Sequence, residues 1–137
     1  LFERTWGRGN YWYLAPVPPN ATSPEMTPFT YVSAAYDMLK VGDKARSLAF
    51  LKTASHTWPT YWLSYFLVAN YYLEQNDSQA VAWFKKGYEV GQHQHVYVHN
   101  YVLALRENNM PEKANIILKQ GLERFPDNEA LLTLAEK

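Results

Sequence analysis

The stretch that decides the fold runs from Gln94 to Pro126 and reads QHVYVHNYVLALRENNMPEKANIILKQGLERFP. Apolar residues recur in it at the spacing of an amphipathic helix, once before Asn108-Asn109 and again after Pro111. Asparagine pairs favour turns, and proline is favoured in the first turn of a helix. The stretch therefore predicts two helices, from about Gln94 to Asn108 and from Pro111 to Phe125, joined by a tight turn.

The aromatic-proline stop at the end of this stretch is repeated upstream. Trp58-Pro59 has the same character as Phe125-Pro126, and Gly91-Gln92 breaks the chain midway between them. A break that recurs after roughly 34 residues, and again at twice that distance, is typical of an array of helix pairs. Such arrays present surfaces that bind other proteins and seldom carry out chemistry.

The remaining helices follow outward from the same pattern. Two further pairs are predicted: Phe29 to Val41 with Lys44 to Thr57, and Thr60 to Gln75 with a helix from Asp77 or Ser78 to Gly91. Asp127 is the predicted cap of a last helix over 128–137, whose Leu131, Leu132 and Leu134 require cover. The predicted fold is all-α, a right-handed α-solenoid with pairs at about 28–58, 59–91 and 93–126 and a capping helix at 127–137.

The segment 1–27 differs from this pattern. Tyr11-Trp12-Tyr13 begins an aromatic, β-prone run that ends at Pro18-Pro19. We expect a short extended or β arm and a stiff proline-rich linker over 1–27. Thr27 and Pro28 are then expected to cap and open the first helix.

Composition excludes several classes of function. The 137 residues are enough for one domain, and 13 basic residues balance 13 acidic ones without forming a basic stripe. Nucleic acid is therefore not an expected partner, and no apolar run approaches the roughly 20 residues of a membrane span. The sequence has no cysteine, which removes disulfides, thiolate metal sites and cysteine nucleophiles. Because the chain begins at Leu1, we interpret it as a piece of a longer protein. A domain without cysteine suits the cytoplasm as well as the cell envelope or periplasm, so the compartment stays open.

Residues of three kinds recur at equivalent places in the three pairs: small residues, aromatic or large apolar residues, and a turn. In the first pair they are Ala35, Met38, Gly42-Asp43, Ser47, Leu51, Ala54 and Pro59. In the second pair they are Ala69, Tyr72, Asn76-Asp77, Ala80, Phe84 and Gly87. In the third pair they are Asn100, Ala104, Leu105, Asn108-Asn109, Ala114, Leu118, Gly121 and Pro126. In this order they resemble the tetratricopeptide repeat, over residues 28 to 137. The resemblance implies a protein or peptide partner bound on the concave wall.

A second resemblance lies upstream of the repeats. Phe2, Thr5-Trp6, Gly9-Asn10-Tyr11-Trp12 and Val17-Pro18-Pro19 look like the segment after the catalytic domain in certain bacterial proteins. Those proteins join a bacteriocin-processing, papain-like cysteine peptidase domain to tetratricopeptide repeats. The resemblance implies that this chain is the C-terminal repeat region, and no peptidase activity carries over because catalysis needs a nucleophile beside a base.

Register with the repeat family places a set of side chains on the concave wall. These predicted partner-binding residues are Tyr36, Lys40, Phe66, Asn70, Leu73, His99, Leu103 and Arg106. Aromatic and amide side chains together suit an extended peptide or a helix laid in the groove. Phe66 and Leu103 have an alternative interpretation as core between repeats.

Two further clusters have competing interpretations. Tyr61 and Trp62, with Tyr11, Trp12 and Tyr13 of the arm, form a possible aromatic docking patch, or they pack between adjacent elements. His93, His95 and His99 have the spacing of metal ligands but lack a carboxylate at a suitable offset, so solvated or hydrogen-bonded histidines are favoured. No metal and no cofactor are predicted.

The predicted function is a non-catalytic module that binds a protein or peptide, either as a monomer or as a weak homodimer. The alternative is a structural adaptor that self-associates or scaffolds a multiprotein complex. An enzyme is disfavoured because the sequence offers no nucleophile–base pair, no glycine-rich phosphate loop and no paired carboxylates in register.

Overall fold

The computed structural model describes residues 27–137, which contain seven helices and no strand. In chain order the helices are α1 (Pro28–Lys40), α2 (Lys44–Thr57), α3 (Trp62–Glu74), α4 (Gln79–Gly91), α5 (His95–Glu107), α6 (Pro111–Arg124) and α7 (Glu129–Ala135). The predicted arm, with Tyr11, Trp12 and Tyr13, lies almost wholly outside the described residues. None of the helices in residues 27–137 is long and apolar enough to cross a membrane.

The chain divides into two compact units, one ending at Ser64 and the other running from Tyr65 to Lys137. In the first unit α1 packs on α2. Thr27 caps α1 as expected, because its hydroxyl accepts a hydrogen bond from the Thr30 N–H while the Thr30 hydroxyl accepts one from the Thr27 N–H. The Tyr31 ring lies 5.0 Å from the Phe50 ring, centroid to centroid, so aromatic burial holds this pair together.

The second unit is built around buried aromatic rings from α4 and α5. Phe84 is fully buried, its ring stacks on Tyr101 at 5.6 Å, and it meets Tyr97 edge-on at 5.3 Å. The Tyr97 hydroxyl is also buried and donates a 2.7 Å hydrogen bond to the Phe84 carbonyl oxygen. This bond offsets the cost of removing the hydroxyl from water, so it favours a tyrosine at this place in the core.

Small residues set the distance between the helices of this unit. A Cβ on Gly87 would lie 2.5 Å from the Tyr65 Cβ and closer still to its Cγ, and one on Gly91 would lie 2.5 Å from the Tyr97 ring. Gly121 of α6 meets Val98 of α5 in the same way, at 2.7 Å from Cγ1. The aromatic rings therefore pack directly against helix backbone.

The three turns within helix pairs share one hydrogen-bonded geometry. Gly42, Asn76 and Asn109 have positive φ angles of 93°, 55° and 59°. In each turn the N–H of the next residue donates a 2.9 Å bond to the carbonyl five residues back, from Asp43 to Met38, from Asp77 to Tyr72 and from Met110 to Leu105. Glycine and asparagine adopt the left-handed conformation most readily, which explains their recurrence at this place.

The predicted cap of the last helix is wrong. The cap of α7 is Asn128, whose Oδ1 accepts a 3.1 Å bond from the Leu131 N–H, and not Asp127. Leu131 and Leu134 are buried, but Leu132 remains 42% exposed because it lies on the other face of this short helix. Of the two residues predicted to cap α4, Asp77 accepts a bond at its Oδ1 from the Gln79 N–H, whereas Ser78 makes no capping bond.

Candidate functional site

Helices α3 and α5 are brought together by aromatic packing in the second unit. The Phe66 ring of α3 lies 6.4 Å from Phe84 and 6.2 Å from Tyr97. Phe66 is half-buried, so this predicted groove residue contributes to the packing of α3 on α4 and α5. Because this packing holds Phe66 in place, the side chains one turn further along α3 also have a fixed position relative to α5.

A polar ladder, formed by Glu74, Asn70, Asn100 and His99, joins α3 to α5. Asn100 Nδ2 donates to Asn70 Oδ1 at 2.8 Å, and Asn70 Nδ2 lies 3.4 Å from Glu74 Oε2. His99 Nδ1 lies 2.9 Å from Asn100 Oδ1. Glu74 is exposed and the other three side chains are half-buried, so the ladder is accessible from one end to the other.

The hydrogen bonds of the ladder all run in one direction. Asn100 donates through its nitrogen to Asn70, so its oxygen is the atom that faces His99, and His99 Nδ1 must carry the proton. Each asparagine then has its amide plane fixed by two bonds. Because an amide group has two N–H donors and an oxygen with two lone pairs, each asparagine keeps capacity to bind a further polar group.

The sequence prediction identified only part of this ladder. Asn70 and His99 were predicted groove residues, whereas Asn100 was recognised only as a repeat position and Glu74 was missed. The spacing of Asn70 and Glu74, four residues apart on one helix, was the available signal for Glu74. No comparable signal pointed to the contact across helices between Asn100 and Asn70.

The remaining predicted groove residues have other surroundings. Leu73 and Leu103 are half-buried. Arg106 Nη2 donates a 3.0 Å bond to the Leu134 carbonyl oxygen, which directs this guanidinium to α7 and away from the ladder. In the first unit, Tyr36 is 45% exposed and the Lys40 ammonium lies 5.2 Å from its ring centroid.

The predicted aromatic patch is described only at Tyr61 and Trp62, which are both half-buried. Burial raises the pKa of the Tyr61 hydroxyl above its usual value of 10.0. Part of the surface of each of these two side chains is therefore covered by packing on neighbouring elements. Tyr11, Trp12 and Tyr13 lie outside the described residues.

The three histidines do not converge. His93 Nδ1 accepts from Arg124 Nη1 at 3.2 Å, the His95 ring meets Phe125 edge-on at 5.9 Å, and His99 bonds to Asn100. Over residues 27–137 no group of three or more histidine, aspartate or glutamate side chains has the arrangement of a metal site.

A second polar cluster joins α4 to α6. Tyr88 donates a 2.6 Å bond to Gln120 Oε1, and Arg124 Nη2 donates a 3.0 Å bond to Gln92 Oε1. These side chains line an open groove of about 540 Å³. Because these two hydrogen bonds run from one helix to the other, we assign this cluster to the packing of the two helices.

Comparison with solved structures identifies proteins that have a similar fold. No protein-family model and no curated protein matches the sequence. Two similar solved structures are the N-terminal domain of stress-induced protein-1 from C. elegans and the MamA protein. The first has a TM-score of 0.68 and 18% identity, covering 80% of this chain and 92% of that chain. The second has a TM-score of 0.62 and 15% identity, covering 74% of this chain and 56% of that chain. Both are helical-repeat structures of the tetratricopeptide type, so the predicted all-α fold class is confirmed.

Proposed function

We propose that this chain is a non-catalytic module that binds a protein segment along the polar ladder of α3 and α5. The observation that carries the proposal is the pair of asparagine amides held in one orientation by their hydrogen bonds. A side-chain amide matches the donor and acceptor of a peptide group. Because its orientation is fixed before binding, less conformational entropy is lost when the partner binds.

The partner that fits this site is an extended peptide. Each asparagine offers one further N–H to a peptide carbonyl, and the His99 ring supplies a flat surface with a nitrogen at its edge. Half-buried Leu73 and Leu103 lie on the same two helices and supply apolar contact area beside the polar atoms. The tetratricopeptide-type fold supports the same proposal by analogy, since helical-repeat arrays bind partners on extended surfaces.

The experiment that tests the proposal is selection of short random peptides displayed on phage, with the full chain as bait. We expect selected peptides that lose about tenfold in affinity for the Asn70→Ala/Asn100→Ala variant, because two oriented amides are removed. Lys85→Ala, at an exposed position on α4, is the matched control and should bind as the wild type does. If no selected peptide loses affinity for the ladder variant, this assignment of the site is refuted.

Spectroscopy gives an independent reading of the same site. Side-chain NH₂ resonances of asparagine are resolved in a ¹⁵N–¹H correlation spectrum, and those of Asn70 and Asn100 can be assigned with the two single variants. Binding at the ladder should shift the NH₂ resonances of Asn70 and Asn100. The NH₂ resonances of Asn115, on α6, should not shift. Binding that moves neither pair would place the partner elsewhere.

A finer proposal concerns the protein to which the module belongs. The resemblance of residues 2–19 supports a C-terminal location in a longer bacterial protein, where the module positions partners or substrates for a papain-like cysteine peptidase domain encoded upstream. Those residues lie outside the described part of the chain. Reading the source gene upstream of Leu1 tests this directly, since a domain with a cysteine and a histidine in papain-like order is expected there.

The second candidate function is a self-associating adaptor. Phe29 and Tyr36 lie two turns apart on α1 and are 63% and 45% exposed, so this helix presents two aromatic side chains to a possible second copy. Sedimentation velocity at increasing concentration tests this function. A monomer–dimer equilibrium that Phe29→Ser abolishes would support the adaptor, and a chain that stays monomeric would exclude it.

A further inference from the structure

Residues of helices α5, α6 and α7, in the second unit, line an open groove of about 800 Å³. Its lining includes an apolar part from α6, formed by half-buried Leu122 and by the exposed edge of Leu118, which is otherwise buried. Arg106, Lys119 and Lys137 bring three positive charges to the lining, and Glu123 brings one negative charge. The groove therefore combines apolar surface with a net positive charge, although the whole chain is neutral.

Arg106 is the most informative residue of this groove. The residue is half-buried, and its guanidinium donates to the backbone oxygen of Leu134 at 3.0 Å. Among the described residues no carboxylate lies within ion-pair distance of it. With a single neutral acceptor its charge is not paired, and the forked guanidinium still has donors suited to a carboxylate.

We propose that this groove is a docking surface, separate from the polar ladder, for a partner segment that carries an apolar side chain between carboxylates. The apolar side chain packs on Leu118 and Leu122. One carboxylate pairs with Arg106 and another with Lys119, so that charge complementarity selects the partner. The argument for this occupant is the excess of positive charge around an apolar centre, which repels basic segments and leaves neutral ones without ion pairs.

The test uses short random peptides displayed on phage and selected on the full chain, followed by measurement of Kd with fluorescein-labelled copies of the selected sequences. We expect a class of selected peptides rich in Asp, Glu and large apolar residues. Their affinity should fall about tenfold for the Lys119→Glu variant and should weaken at high salt. Lys85→Glu makes the same charge change on α4 and should have no effect. Asn70→Ala/Asn100→Ala should also leave this class unchanged, which separates this test from that of the ladder.

Arg106→Gln is the second variant, and thermal melts followed by circular dichroism check that it folds. Lys119 is exposed, so Lys119→Glu keeps the proposal testable if Arg106→Gln does not fold. Failure to select acidic peptides, or acidic peptides that bind Lys119→Glu as tightly as the wild type, would overturn the proposal. A dimer of the wild-type chain that Lys119→Glu dissociates would assign the groove to a second copy instead.

Discussion

The carboxamide nitrogen of Asn100 lies 2.8 Å from the carboxamide oxygen of Asn70, and the bond between them joins α5 to α3. The turns at Asn76 and Asn109 are equivalent places in consecutive helix pairs, so the repeat equivalent of Asn70 is Leu103. Asn100 lies one helical turn before that position. The hydrogen bond therefore joins two positions that are not equivalent in the repeat.

This contact predicts an energetic coupling. Asn70→Ala and Asn100→Ala should each lower the free energy of unfolding by about 1 kcal/mol, since each breaks the same hydrogen bond. The double variant should lose less than the sum, by about 0.5–1 kcal/mol, because the bond is lost only once. Urea denaturation of the four proteins measures the cycle, and strict additivity would show that the bond contributes nothing to stability.

Gly87 predicts a steric penalty. Alanine is the better helix former by about 1 kcal/mol, so Gly87→Ala would stabilise an open site. Here its Cβ would lie 2.5 Å from Tyr65 Cβ and closer still to Tyr65 Cγ, and Cβ cannot move without the backbone of α3. We expect a net loss of about 2 kcal/mol in the free energy of unfolding, measured in urea.

Gly121→Ala is the comparison for that experiment. Its closest neighbours are side-chain tips, Val98 Cγ1 at 2.7 Å and Leu131 Cδ1 at 3.4 Å. Because these atoms can shift more easily, Gly121→Ala should destabilise the chain less than Gly87→Ala does. The reverse order would mean that contact distance does not decide the cost of substitution here.

The left-handed turns predict opposite effects of two substitutions. Asn76→Ala and Asn109→Ala should each cost about 1 kcal/mol of unfolding free energy, because alanine is strained at φ angles of 55° and 59°. Asn76→Gly and Asn109→Gly should be neutral or stabilising, since glycine adopts this conformation without strain. Thermal melts rank the variants, and Asn115→Ala within α6 controls for loss of an asparagine in a helix.

The buried tyrosines predict a loss of stability in alkali. Burial raises the pKa of Tyr101 to about 12, with a smaller contribution from nearby Tyr88, and burial raises the pKa of Tyr97 well above 10.0. The unfolded chain therefore loses these protons first, and the free energy of unfolding should fall as the pH rises above about 10. Below that pH both states are protonated and these groups contribute no pH dependence.

Tyr101→Phe isolates this effect, since its hydroxyl makes no hydrogen bond within the described part of the chain that the variant would lose. The variant should unfold in urea like the wild type at about pH 8 and show a shallower decline between about pH 10 and 12. An unchanged decline would assign the alkaline sensitivity to groups other than Tyr101.

Local patterns allowed the helices to be predicted, because each depends on residues within a few positions. Glycine and asparagine at the turns, Pro28 and Pro111 in first turns and the three- and four-residue apolar spacing all act locally. The error at Asp127 arose because two adjacent residues can both cap a helix. Which of them does so depends on how α7 packs.

The candidate site was predicted only in part, because its contacts join different helices. Repeat register places Asn70 and His99 on first helices of pairs, but it does not determine which side chains touch. Repeat register predicts Arg106 on the same wall as His99, yet the Arg106 guanidinium reaches Leu134 of α7. A long side chain near a helix end has several neighbours within reach, and only the packed structure decides among them.

The shared geometry of the turns at Asn76 and Asn109 has an evolutionary consequence. The segment between them begins and ends on the same backbone conformation and the same hydrogen bond to the carbonyl five residues back. Copying this segment in tandem at the gene level would join two ends that already match. New binding surface can thus be added by duplication without the need to evolve a new turn.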